Sequence, residues 1–203
     1  MIPNDSPIST VLFDLDGVVR HFDPAQVASI EERHTLAPGS IMAAAFTPAL
    51  LKQVITGVIT RREWTEQVGE IISNHSAAFE WEATPGSVDA EVVALVEELR
   101  AAGITVAVLT NGTDAIAREL AELGLDSHFD AIFNSADIGY AKPDVRAFGH
   151  VCDALSVDPA HVFFTDDSQS KLAGAIELGM AARVFTSVAA LRQQLSELWG
   201  ASG

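Results

Sequence analysis

Two carboxylates one residue apart, Asp14 and Asp16, close the apolar run Val11-Leu12-Phe13 and are followed directly by Gly17. Asp and Gly both form strands poorly, so none of them is there to lengthen a sheet. The two-residue period of a strand sends both acids to one side at its carboxyl end. Carboxylates held that close repel each other unless a cation lies between them or one keeps a proton. Three more polar groups follow: Thr110-Asn111-Gly112, Lys142-Pro143 and Thr165-Asp166-Asp167-Ser168. Taken singly they read as helix caps, a surface lysine and a favourable charge at a helix start. Taken together they supply a carboxylate nucleophile, a second acid, a hydroxyl and an ammonium for phosphate oxygens, and carboxylates for a divalent cation. That set suits phosphoryl transfer through an aspartyl phosphate. Oxygen-only ligation favours magnesium over zinc.

These groups need a scaffold that gathers them. From Ser87 onward, helical and strand patterns alternate: VDAEVVALVEELRAAG then ITVAVLT, AIARELAELG then DAIFNS, DVRAFGHVCDALSV then HVFFT, LAGAIELG then ARVFT, and a last helix in VAALRQQLSELW. Such alternation predicts an α/β fold, a Rossmann-like, doubly wound parallel sheet covered on both faces. Ligands of such sheets bind beyond the carboxyl ends of the strands, where all four polar groups fall. Residues 20–85 break the alternation with helical patterns (AQVASIEERHTL, SIMAAAF with PALLKQVI, RREWTEQVGEII) and no convincing strand. They predict an all-helical cap, inserted where it can act as a lid, with the core formed by 1–19 and 86–203.

The composition narrows the partners. The 203 residues, 48% of them hydrophobic, can bury a substantial core. A net charge of −16 argues against nucleic acid or an anionic membrane surface, both of which need clustered cations. Cys152 is the sole cysteine, which excludes an internal disulfide and a multi-cysteine metal site and fits a reducing compartment. No signal peptide or membrane-length apolar run is legible, so the expectation is a cytoplasmic monomer or homodimer acting on a small molecule.

The motifs DLDGVV, TNG, KP within GYAKPD, and FFTDDS followed by AGAIELGM, in this order, resemble those of the haloacid dehalogenase-like hydrolase superfamily. The resemblance spans nearly the whole chain. It implies a Rossmann-like core with a helical cap after the first motif, and it implies roles. Asp14 would be the nucleophile and Asp16 the general acid and base. Thr110, helped by the backbone at Asn111 and Gly112, would bind the transferring phosphoryl group, and Lys142 would neutralise the phosphate and Asp14. Magnesium would be held by the Asp14 carboxylate, the Asp16 carbonyl, and Asp167 or Asp166. An acid two residues after the nucleophile implies a phosphatase or phosphomutase rather than a dehalogenase. The mutase alternative assigns Arg61, in the capping-box stretch Thr60-Arg61-Arg62-Glu63, to a second phosphate; a catalytically silent binding protein on the same fold is the alternative from another class. Lys171 stands where many members carry Asn or Asp. Specificity would lie in cap side chains such as Arg20, His21, Arg61 and Trp64.

Overall fold

In the computed structural model, which describes residues 8–200, five parallel strands carry the four polar groups. They are β1 (Thr10–Phe13), β4 (Thr105–Thr110), β5 (Ala131–Asn134), β6 (Val162–Asp166) and β7 (Ala181–Val184), in the order β5-β4-β1-β6-β7. Residues 1–7 and 201–203 of the expected core lie outside the described residues. The inner strands β1, β4 and β6 are buried on both faces, and the alternation separates two cores. Val11 and Phe13 pack with α6 (Ala90–Ala101), α7 (Ile116–Glu122) and α11 (Val188–Gly200). Leu12 turns to the other side, with α9 (Val145–Leu155) and α10 (Ala173–Leu178). This two-sided burial explains why the strands read as unbroken apolar runs. Cys152 is buried in the second core, and burial pushes its thiol up to about 11.

The central strand pairs with β4 on one side and β6 on the other, Phe13 standing opposite Val108 and Thr165. Successive connections therefore leave β1 in opposite directions, and a crevice opens at its carboxyl end. The polar groups of β1, β4 and β6 all border it.

Between β1 and α6 lies the helical stretch: α1 (Pro24–Arg33), α2 (Ser40–Ala45), α3 (Pro48–Ile55), α4 (Arg61–Ile71) and α5 (His75–Glu82). Local chemistry sets the starts. Asp23 caps α1 with Pro24 in its first turn, and Thr60 and Glu63 form a reciprocal capping box on α4. These helices enclose their own apolar cluster around Trp64, whose ring meets Trp81 at 5.1 Å and, at the cluster's open side, the exposed Phe46 at 6.1 Å, both edge to face.

Two features correct the sequence reading. Arg20–His21 (β2) pairs antiparallel with Ser87–Val88 (β3), so the stretch expected to lack strands begins with one. Two residues carry no period-2 signal; the pairing is imposed because the chain leaves and returns there. The helix α5 was not among the expected patterns either. HSAAFEWE has no clean helical stripe, and its start is fixed by Asn74, whose side chain accepts from the Ala77 N–H at 3.0 Å.

Candidate active site

Asp14 is the first residue past β1, and its N–H donates to the Thr165 carbonyl at 2.9 Å. Its carboxylate is 2% exposed, and Oδ1 lies 2.7 Å from the Lys142 ammonium. The same ammonium, itself fully buried, lies 2.7 Å from Asp166 Oδ2 and so bridges the two acids. Asp166 Oδ1 in turn accepts from the Ser168 N–H at 2.9 Å. Lys142 is aimed by Asn111. The Asn111 amide donates to the Lys142 carbonyl at 2.9 Å, and its Oδ1 accepts from the Lys142 N–H at 2.8 Å. This reciprocal pair, made by a side chain expected to contribute through its backbone, ties the loop after β4 to the lysine loop. Thr110, the buried last residue of β4, sits beside Asn134 in the sheet register.

One oxygen from each of Asp14, Asp166 and Asp167 lies within 4.8 Å of the others. Gly17 makes the approach of Asp167 possible. It adopts φ +91°, and a Cβ there would lie 2.2 Å from Asp167 Oδ2. Burial raises the Asp14 carboxyl above the ordinary carboxylate range, and neighbouring Asp166 adds to this, against the opposing pull of Lys142 and Lys171. Asp14 Oδ2 is buried with no hydrogen-bond partner. An orphaned carboxylate oxygen beside two further carboxylates fits a hard, oxygen-seeking divalent cation.

Asp16 is not brought into that cluster. Its carboxylate takes a two-pronged contact from Arg20, Nε to Oδ1 at 2.6 Å and the second prong at 3.1 Å. Arg20, 4% exposed, reaches on to Glu119 at 2.7 Å. The other oxygen of Glu119 meets Arg61, which also pairs with Glu82 at 2.6 Å. Arg61 further donates its backbone N–H to Asp114 at 2.7 Å. The result is a chain of alternating charge, Asp16–Arg20–Glu119–Arg61–Glu82, that crosses from the first motif to the helical stretch through α7. Glu119 was invisible in the sequence, where it is one more acid on an exposed-looking helix turn. Of the other expected specificity residues, Trp64 lines the hollow beneath the helices, and His21 lies 3.4 Å from Asp89.

The sequence profile of the haloacid dehalogenase-like hydrolase family matches residues 8–179. The chain belongs to this family. Among relatives of this hydrolase, phosphatase MT3486 of Mycobacterium tuberculosis is 30% identical over 188 residues, covering 86% of each chain. Rat bifunctional epoxide hydrolase 2 is 25% identical over 213 residues, which cover 93% of this chain and 38% of the rat protein, so the chain spans well under half of that relative's length. The fold resembles that of HAD family enzyme bt-2542 from Bacteroides thetaiotaomicron, solved with magnesium and inorganic phosphate. There the TM-score is 0.74 at 21% identity, covering 89% of this chain and 96% of that one.

Within this hydrolase, Lys171 brings a second cation to the carboxylates. Its ammonium lies 3.7 Å from Asp14 Oδ2, the orphaned oxygen. Burial lowers its pKa, but the carboxylates Asp14, Asp166, Asp167 and Asp16 outweigh that, and the net shift is upward. A cation held there competes with a divalent ion for the same oxygen. Replacing Lys171 by Asn removes the competing charge and adds an oxygen donor, so magnesium should bind at least about fivefold tighter in calorimetric titration of the substrate-free protein. A change under about twofold would show that Lys171 does not weigh on the cation.

Proposed function

We propose that this hydrolase is a magnesium-dependent phosphatase acting on a small phosphorylated metabolite through an aspartyl phosphate at Asp14. The observation that carries this reading is the buried Asp14 carboxylate, bridged by Lys142 to Asp166, with its second oxygen unbonded. The likeness to a mycobacterial phosphatase supports it. Asp14 attacks phosphorus, the ester oxygen departs, and water then cleaves the acyl phosphate. Asp16 gives the departing oxygen its proton and takes one from the attacking water. To act as the acid, Asp16 leaves Arg20 and takes up a proton from solvent, while Arg20 keeps its partner Glu119. Thr110 and the N–H groups near Asn111 and Gly112 hold phosphoryl oxygens, and Lys142 balances their charge. The Asp14 carboxylate, the Asp16 carbonyl and Asp167 or Asp166 would hold magnesium, whose charge would shield the phosphate from the attacking carboxylate.

Residues 20–85 serve as the cap over a core of 1–19 and 86–203. The mutase reading needs the Arg61 guanidinium for a second phosphate, yet Glu82 and Glu119 already engage it, which favours hydrolysis. Among the described residues no helix is long and apolar enough to cross a membrane.

Phosphate release from p-nitrophenyl phosphate tests the reading. Turnover should require magnesium, vanish in EDTA and return when the metal is restored. Full activity in metal-free buffer would overturn the metal's role.

A further inference from the structure

A hollow of about 500 Å³ lies between the helices and the sheet edge, within the roughly 300–1,000 Å³ range of small-molecule sites. Its floor is formed by Asp16, Asn111 and Gly112, so it opens directly onto the motif loops. Its walls are apolar, with Val27, Leu51, Ile55 and Trp81 among them. Three of the large apolar side chains that the fold leaves exposed also face it: Phe22, Met42 and Phe46, at 46%, 42% and 47%. Exposed apolar side chains gathered in one concavity mark a ligand surface, whereas scattered ones need no explanation.

In the substrate-free protein most polar groups at the same surface already have partners. Asp16, Arg20, Glu119, Arg61 and Glu82 pair with one another. Glu31 accepts from the N–H groups of Gly39 and Ile41 at 2.7 and 2.9 Å. Asp23 caps α1, and the Asn111 amide is taken by Lys142. Trp64 donates its indole N–H to the Ala45 carbonyl at 3.0 Å. A polyhydroxylated ligand would gain few new partners there for the water it gives up, whereas an apolar one buries its surface without breaking an ion pair.

Resting on the phosphatase reading, we infer that the substrate is a phosphate monoester whose organic part is apolar, an alkyl, isoprenoid-like or aromatic group lodged among Phe22, Met42, Phe46 and Trp81. The phosphate faces the sheet edge and the hydrocarbon fills the hollow, so this surface selects against sugar and polyol phosphates.

The test is a series of n-alkyl phosphates from ethyl to octyl, with glucose 6-phosphate and glycerol phosphate as polar counterparts. The ratio kcat/KM should rise about two- to fourfold per methylene until the hollow is filled, and the polar esters should fall below alkyl esters of similar size. Met42→Glu places a charge on the wall at a solvent-accessible helix position; it should flatten the dependence on chain length while circular dichroism and the melting curve show a folded protein. In parallel, alkylphosphonates of the same lengths, which cannot be hydrolysed, should bind more tightly with length by calorimetry. If ethyl phosphate is hydrolysed and neither rate nor affinity grows with length, the apolar inference is overturned and the phosphatase reading stands. If no ester turns over yet affinity climbs with length, the phosphatase reading falls and the apolar site stands. A flat calorimetric series with no turnover overturns both.

Discussion

Asp14→Asn should reduce phosphate release to background with every leaving group, a loss of at least ~10⁴, because an amide cannot attack phosphorus and no phosphoenzyme forms. The fold should not suffer. Lys142 keeps its 2.7 Å contact with Asp166, so no buried charge is stranded. Burial and the neighbouring Asp166 raise the Asp14 carboxyl above its ordinary value. For an acid, that sign means the native state holds its proton more tightly than the unfolded chain, so the native carboxyl costs stability as pH climbs past the unfolded value. Removing the charge should leave the melting temperature at neutral pH unchanged or higher. A variant that lost activity and also melted well below the parent would point to a structural role for Asp14. Appreciable residual turnover would place the nucleophile elsewhere.

Asp16→Asn should act differently despite the identical side chain it replaces. The nucleophile remains and the expected metal contact at position 16 is a backbone carbonyl, so magnesium binding should persist. Proton transfer is lost, a contribution of roughly 10²–10⁴ in rate. Alkyl phosphates, whose leaving oxygen needs a proton, should suffer most in the first step, and acyl phosphates least. The second step should slow for all substrates, since no base activates water. With acetyl phosphate and rapid acid quenching, the variant should accumulate one phosphoryl group on the peptide containing Asp14, read as a mass increase. A label on serine, threonine or histidine would refute the aspartyl-phosphate chemistry. Arg20 keeps Glu119 and one amide oxygen in this variant, so unfolding is not expected to confuse the result.

The inner strands were legible because β1, β4 and β6 are apolar runs that end in polar residues, and parallel crossovers fix where such ends must gather. Val162–Asp166 shows this well: burial on both faces forces apolar residues up to Thr165 and Asp166, where the chain reaches the crevice. Long-range pairing was not legible. Arg20 and Glu119 are 99 positions apart, and only the docking of α7 beside the loop after β1 brings them within 2.7 Å. Arg61 reads as a misplaced cation in a helix's first turn, yet Glu82 and Glu119 account for it in space. The hollow is not legible in the sequence for the same reason. Phe22, Met42 and Phe46 occupy separate segments, and each alone is an ordinary apolar residue on a helical stretch.

The two-residue ribbon of Arg20 and His21 against Val88 and Ser87 also bears on the length of the helical stretch. It clasps the outgoing and returning chain at neighbouring points, so β1 and β4 sit side by side whatever is threaded between them. Closing a longer or shorter detour changes the entropy only slowly with length. The clasp therefore works as a socket. A change of length or content in the helical stretch alters what the hollow admits, while the carboxylates on the far side of the clasp keep their spacing.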